Sequence, residues 1–103
     1  MIKLIQTRPE SRDCTAPYDV KFDKPYTIGE LVNEVLTTRR NGWGDFEVRE
    51  GGSWFKPTIC RVDYRYGKLM GELPEDIAKL PIVRATAYGG WSAMDYNIIV
   101  EKQ

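Results

Sequence analysis

The sequence predicts an α+β domain, a mainly antiparallel twisted sheet with one long helix packed across one face and a second, short helix. Three observations carry this. Residues 27–41 hold a full helical pattern with both ends marked, and several other segments alternate apolar and polar side chains at the period of a strand. Gly51-Gly52 and Gly89-Gly90 stand where such segments meet, as in tight antiparallel hairpins. The order reads β-β-α-β-β-(β)-α-β-β over residues 1–103, a single domain of a size that buries roughly two thirds of its unfolded surface.

Each element has a local reason. Ile2 to Thr7 is a short strand that closes at Pro9, and residues 8–17, bounded by Pro9 and Pro17 and rich in charged and small polar groups, read as a loop. Tyr18 to Asp23 sets Tyr18, Val20 and Phe22 on one face and Asp19, Lys21 and Asp23 on the other. In the helix, Ile28, Leu31, Val32, Val35 and Leu36 form one apolar stripe. Thr27 and Glu30 have the spacing of a capping box, Arg39 and Arg40 fall in the last turn, and Asn41-Gly42 offers a left-handed stop.

Beyond the helix, residues 45–50 start a strand, and a two-residue loop at Gly51-Gly52 would set Val48 opposite Phe55, Glu47 opposite Lys56 and Arg49 opposite Trp54. Ile59 to Tyr66 alternates again, with Cys60, Val62, Tyr64 and Tyr66 against Arg61, Asp63 and Arg65. The turn at 66–68 has two registers, and each juxtaposes like charges. Residues 73–81, bracketed by Pro74 and Pro81 with Glu75 and Asp76 in a first turn, give one or two helical turns. The last hairpin, 82–88 with 93–100 around Gly89-Gly90, pairs Val83 with Tyr96, Ala85 with Met94, Arg84 with Asp95 and Tyr88 with Trp91. The small Ala85 and Ala87 make it the floor beneath the helix.

Composition excludes more chemistry than it suggests. The chain has 15 basic and 15 acidic residues, evenly spread, and so no global field for phosphates or anionic lipid. It has no histidine, which removes the commonest general base, the Ser-His and Cys-His pairs and the commonest metal ligand. Neither Gly-Gly pair has the lysine and strand-to-helix setting of a phosphate loop. Cys14 and Cys60 are too few and too far apart for a disulfide framework or a metal-ligand pair, which predicts a reduced, cytoplasmic protein. No targeting signal and no run of the ~20 apolar residues of a membrane span is present. The expectation is no catalytic residues, no metal, no cofactor and no membrane partner.

What remains is surface. Trp43, Trp54 and Trp91 lie at or beside turns, Arg49, Arg61, Arg65 and Arg84 fall on the outward side of their strands, and Tyr88 shares the face of Arg84. Aromatics and arginine are the residue types enriched at the energetic centres of protein interfaces. The expected function is a non-enzymatic binding module for a protein partner, with Trp43, Trp54, Arg61, Arg65, Arg84, Tyr88 and Trp91 as its candidate surface. The alternative is a sheet that binds single-stranded nucleic acid by stacking, against which stand the zero net charge and the aspartates Asp63 and Asp95 beside those arginines.

The segment 89–96, with Trp43-Gly44-Asp45-Phe46 and residues 64–69 upstream, resembles small uncharacterised bacterial proteins carried on phage and other mobile elements. The resemblance covers about a quarter of the chain and implies a small cytoplasmic accessory protein.

Overall fold

The computed structural model describes residues 3–4, 17–51, 58–89 and 93–101. In chain order these form β1 (Lys3–Leu4), β2 (Tyr18–Lys21), α1 (Ile28–Thr38), β3 (Trp43–Glu50), β4 (Thr58–Arg65), β5 (Lys68–Leu69), α2 (Glu75–Ala78), β6 (Ile82–Tyr88) and β7 (Ala93–Val100). The strands make one seven-stranded sheet in the order β1-β2-β6-β7-β3-β4-β5. All neighbours are antiparallel except β3 and β7, which are parallel over their whole length.

That one parallel ladder explains the architecture. Since β2 opposes β6, β6 opposes β7 and β7 runs with β3, strands β2 and β3 point the same way and α1 is the crossover between them. The crossover leaves a gap of two strands, and the β6–β7 hairpin fills it. Ala85 and Ala87 of β6 are buried in one cluster with Ile28, Leu31, Val32 and Val35 of the helix and Phe46, Val48, Tyr64, Tyr96 and Ile98 of the sheet. Ile77 of α2 joins the same cluster, so both helices lie on one face.

The helix start follows the sequence closely, and its end does not. Thr27 Oγ1 accepts from the Glu30 N–H while Glu30 Oε1 accepts from the Thr27 N–H at 3.1 Å, a complete capping box. The helix is 11 residues long, however, and stops at its C-cap Arg39. Thr37 and Thr38 turn their hydroxyls back onto the Asn33 and Glu34 carbonyls, the local competition that makes such residues poor helix interiors. Arg39 and Arg40 therefore lie beyond the last turn, and neither Asn41 nor Gly42 takes the left-handed conformation expected of a stop. Leu36, at the margin of the stripe, is only half-buried.

Both glycine hairpins are wider than expected. β3 runs to Glu50 and β4 begins at Thr58, so Glu47 faces Arg61, Val48 faces Cys60 and Arg49 faces Thr58 across a bulge. The expected partners Trp54, Phe55 and Lys56 lie outside the described residues. In the last hairpin Tyr88 faces Asp95, Ala87 faces Tyr96, Ala85 faces Ile98 and Arg84 faces Ile99. A bulge between Ile82 and Arg84 puts Val83 out of the ladder and leaves it 58% exposed rather than opposite Tyr96 in the core.

The open turn at 66–68 is settled as a two-residue loop, with Arg65 opposite Lys68. Tyr66 and Gly67 both have positive φ, 51° and 79°, as a mirror-image hairpin turn requires.

Candidate functional site

With both helices on one face, the other face of the sheet has no described element over it. Its residues are set by the pleat: Trp43, Asp45, Glu47 and Arg49 on β3, Arg61, Asp63 and Arg65 on β4, Asp95 and Asn97 on β7, and Arg84, Thr86 and Tyr88 on β6. Three kinds of place result.

At one end, Trp43 faces Arg65 across the β3–β4 ladder, and the 66–67 turn lies beside them. Trp43 is 44% and Tyr66 67% exposed, and with Arg65 they line a recess of about 240 Å³. The turn is anchored, because the Tyr66 N–H donates to the Gly42 carbonyl at 2.8 Å, immediately before Trp43. Tyr66 occupies a left-handed conformation uncommon for a large side chain, and such backbone strain concentrates at functional positions. Arg65 has no ion-pair or hydrogen-bond partner among the described residues.

In the middle runs an acidic row. Asp45 of β3 faces Asp63 of β4 on one side and Asp95 of β7 on the other, and Tyr88 of β6 faces Asp95 from beyond. Asp45 is buried, covered by Arg61, whose Nε and Nη2 both donate to Asp45 Oδ2, the first at 2.8 Å. This pair lifts the Arg61 guanidinium still higher in pKa. Burial first, and the Asp45 carboxylate second, push Asp95 above the ordinary aspartate range.

Like charges directly across a ladder destabilise a sheet by roughly 0.2–1 kcal/mol. Asp95→Asn should therefore stabilise the protein by about that amount at pH 7, read as a higher urea midpoint. The pH dependence has a definite sign. Between the unfolded value, near 3.8, and the raised folded one, the native state holds more protons, so this group's contribution falls as pH rises through that window. The Asp95→Asn variant should flatten that fall, and an unchanged profile would show the two carboxylates to be independent.

At the other end the arginines are occupied. Arg49 Nε donates to Glu47 Oε1 at 2.8 Å, and Thr58 Oγ1 donates to the same oxygen at 2.9 Å, which holds the Glu47 carboxyl below its usual range. Arg84 reaches Asp19 of β2 at 3.5 Å, not Asp95, since the wide hairpin sets it opposite Ile99. Past Asp19 the strands β2 and β6 separate, and residues 19–22 and 83–85 line a second recess of about 300 Å³.

Of the residues expected to form one surface, the structure thus gathers Trp43 and Arg65, adds Tyr66, and leaves Tyr88 two strands away on β6, 41% exposed and facing Asp95 rather than Trp91. Arg61 and Arg84 are on the face but bound to Asp45 and Asp19. Trp54 and Trp91 lie outside the described residues. Tyr66 was missed because the alternation of 59–66 assigned it inward, and the Tyr-Gly dipeptide was the available signal of a turn. The aspartate row was missed because only the parallel β3–β7 ladder makes Asp45 and Asp95 neighbours.

No group of three or more His, Cys, Asp or Glu side chains among the described residues has metal-binding geometry. The Cys60 thiol is unbridged and pushed up in pKa by burial, away from the thiolate form a nucleophile needs. No helix among the described residues is long and apolar enough to cross a membrane. No family model, curated protein or solved structure matches the chain.

Proposed function

We propose that the protein is a non-enzymatic binding module that docks a protein partner on the open face of its sheet, centred on Trp43, Arg65 and Tyr66. One observation carries the reading: a recess of about 240 Å³ lined by two exposed aromatics and an arginine, held in place by the Tyr66–Gly42 backbone bond. A large aromatic left uncovered while 18 of the described hydrophobic residues are buried is a candidate anchor, and Trp, Tyr and Arg dominate such anchors. The short-range resemblance to mobile-element accessory proteins fits a role exercised through a partner.

The acidic row weighs against single-stranded nucleic acid. A strand crossing this face from β4 to Tyr88 of β6 would run over Asp63, Asp45 and Asp95, of which only Asp45 has a paired cation among the described residues.

The test compares wild type with Trp43→Ala in capture from lysate, with and without nuclease, each variant first checked for an unchanged unfolding midpoint. A partner retained through nuclease treatment and bound at least tenfold more weakly by Trp43→Ala is the expected outcome. Capture indifferent to Trp43 and Arg65 would remove this face from the function. Capture abolished by nuclease, with salt-dependent oligonucleotide binding, would favour the nucleic-acid reading.

A further inference from the structure

The ladder that holds Trp43 ends in a concentration of unpaired positive charge. Trp43 faces Arg65, and Arg65 in turn faces Lys68 of β5, so two cations stand directly opposite each other on the open face. Neither has an ion-pair or hydrogen-bond partner among the described residues. Arg40, exposed just past the C-cap of α1, adds a third from behind the turn, where a Cβ on Gly67 would meet Arg40 Cβ at 3.1 Å. The Met70 N–H donates to the Asp63 carbonyl at 2.8 Å, which extends the β4–β5 ladder by one residue and sets Met70, 60% exposed, beside Asp63. Trp43, Tyr66 and Met70 thus leave apolar surface around a pair of uncompensated cations.

We propose, resting on the docking function above, that the partner segment at this corner is acidic: a side-chain carboxylate sits between Arg65 and Lys68, and an apolar side chain next to it fills the recess of Trp43 and Tyr66. Like charges directly across a ladder destabilise it, and an anion between them replaces that repulsion with two charge-assisted contacts. Arginine in addition offers a carboxylate a planar, two-pronged fit. The recess of about 240 Å³ is smaller than the roughly 300–1,000 Å³ of pockets that enclose a whole small molecule, so it suits one side chain of a larger partner. A nucleic-acid strand fits less well. Asp63, two residues from Arg65 on the same face, has no paired cation among the described residues, and Asp45 and Asp95 follow it across the sheet, so a second phosphate would meet carboxylates. A protein can set a neutral or basic residue there.

The experiment measures binding of the full chain to fluorescein-labelled peptides that share the same apolar residues and carry glutamate, glutamine or lysine between them, with an oligothymidylate as the nucleic-acid arm. The glutamate peptide is expected to bind best and to weaken with added salt and with Trp43→Ala. Lys68→Glu is the decisive variant, because it gives Arg65 the cross-strand counter-charge that the wild type lacks. Its urea midpoint should hold or rise while affinity for the glutamate peptide falls roughly tenfold; a merely structural role for Lys68 would move both together. Lys24→Glu, which makes the same change of net charge in the segment between β2 and α1, should leave the affinity unchanged. A glutamine or lysine peptide bound more tightly, yet still lost in Trp43→Ala, would overturn the acidic occupant and leave the docking face standing. Glutamate-peptide binding indifferent to both Trp43 and Lys68 would remove both, and equal or absent binding of the three peptides, or tighter binding of the oligothymidylate, would also overturn the proposal.

Discussion

Gly44→Ala is expected to leave little folded protein, at a cost of about 4 kcal/mol or more, the range reserved for a clash that the core cannot relieve. Gly44 lies on the inner face of β3, paired with Met94 of β7 and Tyr64 of β4. A Cβ at this position would overlap the Met94 carbonyl and come within 2.7 Å of the Tyr64 hydroxyl. Neither can retreat. The Met94 carbonyl belongs to the parallel ladder, and Tyr64 is fully buried with its ring 5.1 Å from that of Phe46. Far-ultraviolet circular dichroism and urea titration would show the loss. Tyr64→Phe separates the two clashes: alone it should cost only about 1 kcal/mol for one hydrogen bond, and it should not rescue Gly44→Ala, because the carbonyl remains. A Gly44→Ala protein with a wild-type midpoint would mean that β3 and β7 are not in close register at this point.

The fate of Gly44 also shows which parts of the fold were legible in the sequence. Local chemistry was: the Thr27–Glu30 capping box, the single turn of α2 after Pro74, and the inward or outward side of nearly every strand residue follow from neighbours within a few positions. Long-range pairing was not. Glycine pairs promised two-residue hairpins, yet the last hairpin is offset so that Tyr88 meets Asp95 instead of Trp91.

That offset is four residues, an even number, so Ala85, Ala87, Met94 and Tyr96 still face the core although every partner changed. Arg84 kept its face and lost its expected partner for the same reason. The parallel ladder joins segments about fifty residues apart with no local mark, and with it came the close approach at Gly44 and the line of aspartates. The candidate site was therefore half legible. Trp43 and Arg65 are readable as outward residues near turns, while their grouping with Tyr66 depends on a left-handed tyrosine that alternation placed inward.

Arg61→Ala is the second large effect, expected to lower the urea midpoint at pH 7 through the loss of charge-assisted hydrogen bonds to a buried carboxylate. The guanidinium itself is mostly exposed, so the value of the pair lies in what it covers. Without it Asp45, 7% exposed, is left as a carboxylate facing Asp63 on one side and Asp95 on the other.

The Arg61 charge also restrains the rise of Asp95, so removing it moves that carboxyl further up. Because the folded state then holds its proton over a wider window above 3.8, the variant should lose stability with rising pH more steeply than wild type. Arg61→Lys restores the charge but not the two-nitrogen contact with Oδ2 and should recover part of the loss. Arg61→Asn, which carries no charge, should recover little. Urea midpoints of the three variants at pH 4 and pH 7 measure this directly, and a loss that is equal at both pH values would sink the argument that Arg61 acts by neutralising the aspartate row. Partner affinity per folded molecule should meanwhile stay near wild type in Arg61→Lys, since this arginine serves Asp45 and the open recess belongs to Trp43, Arg65 and Tyr66.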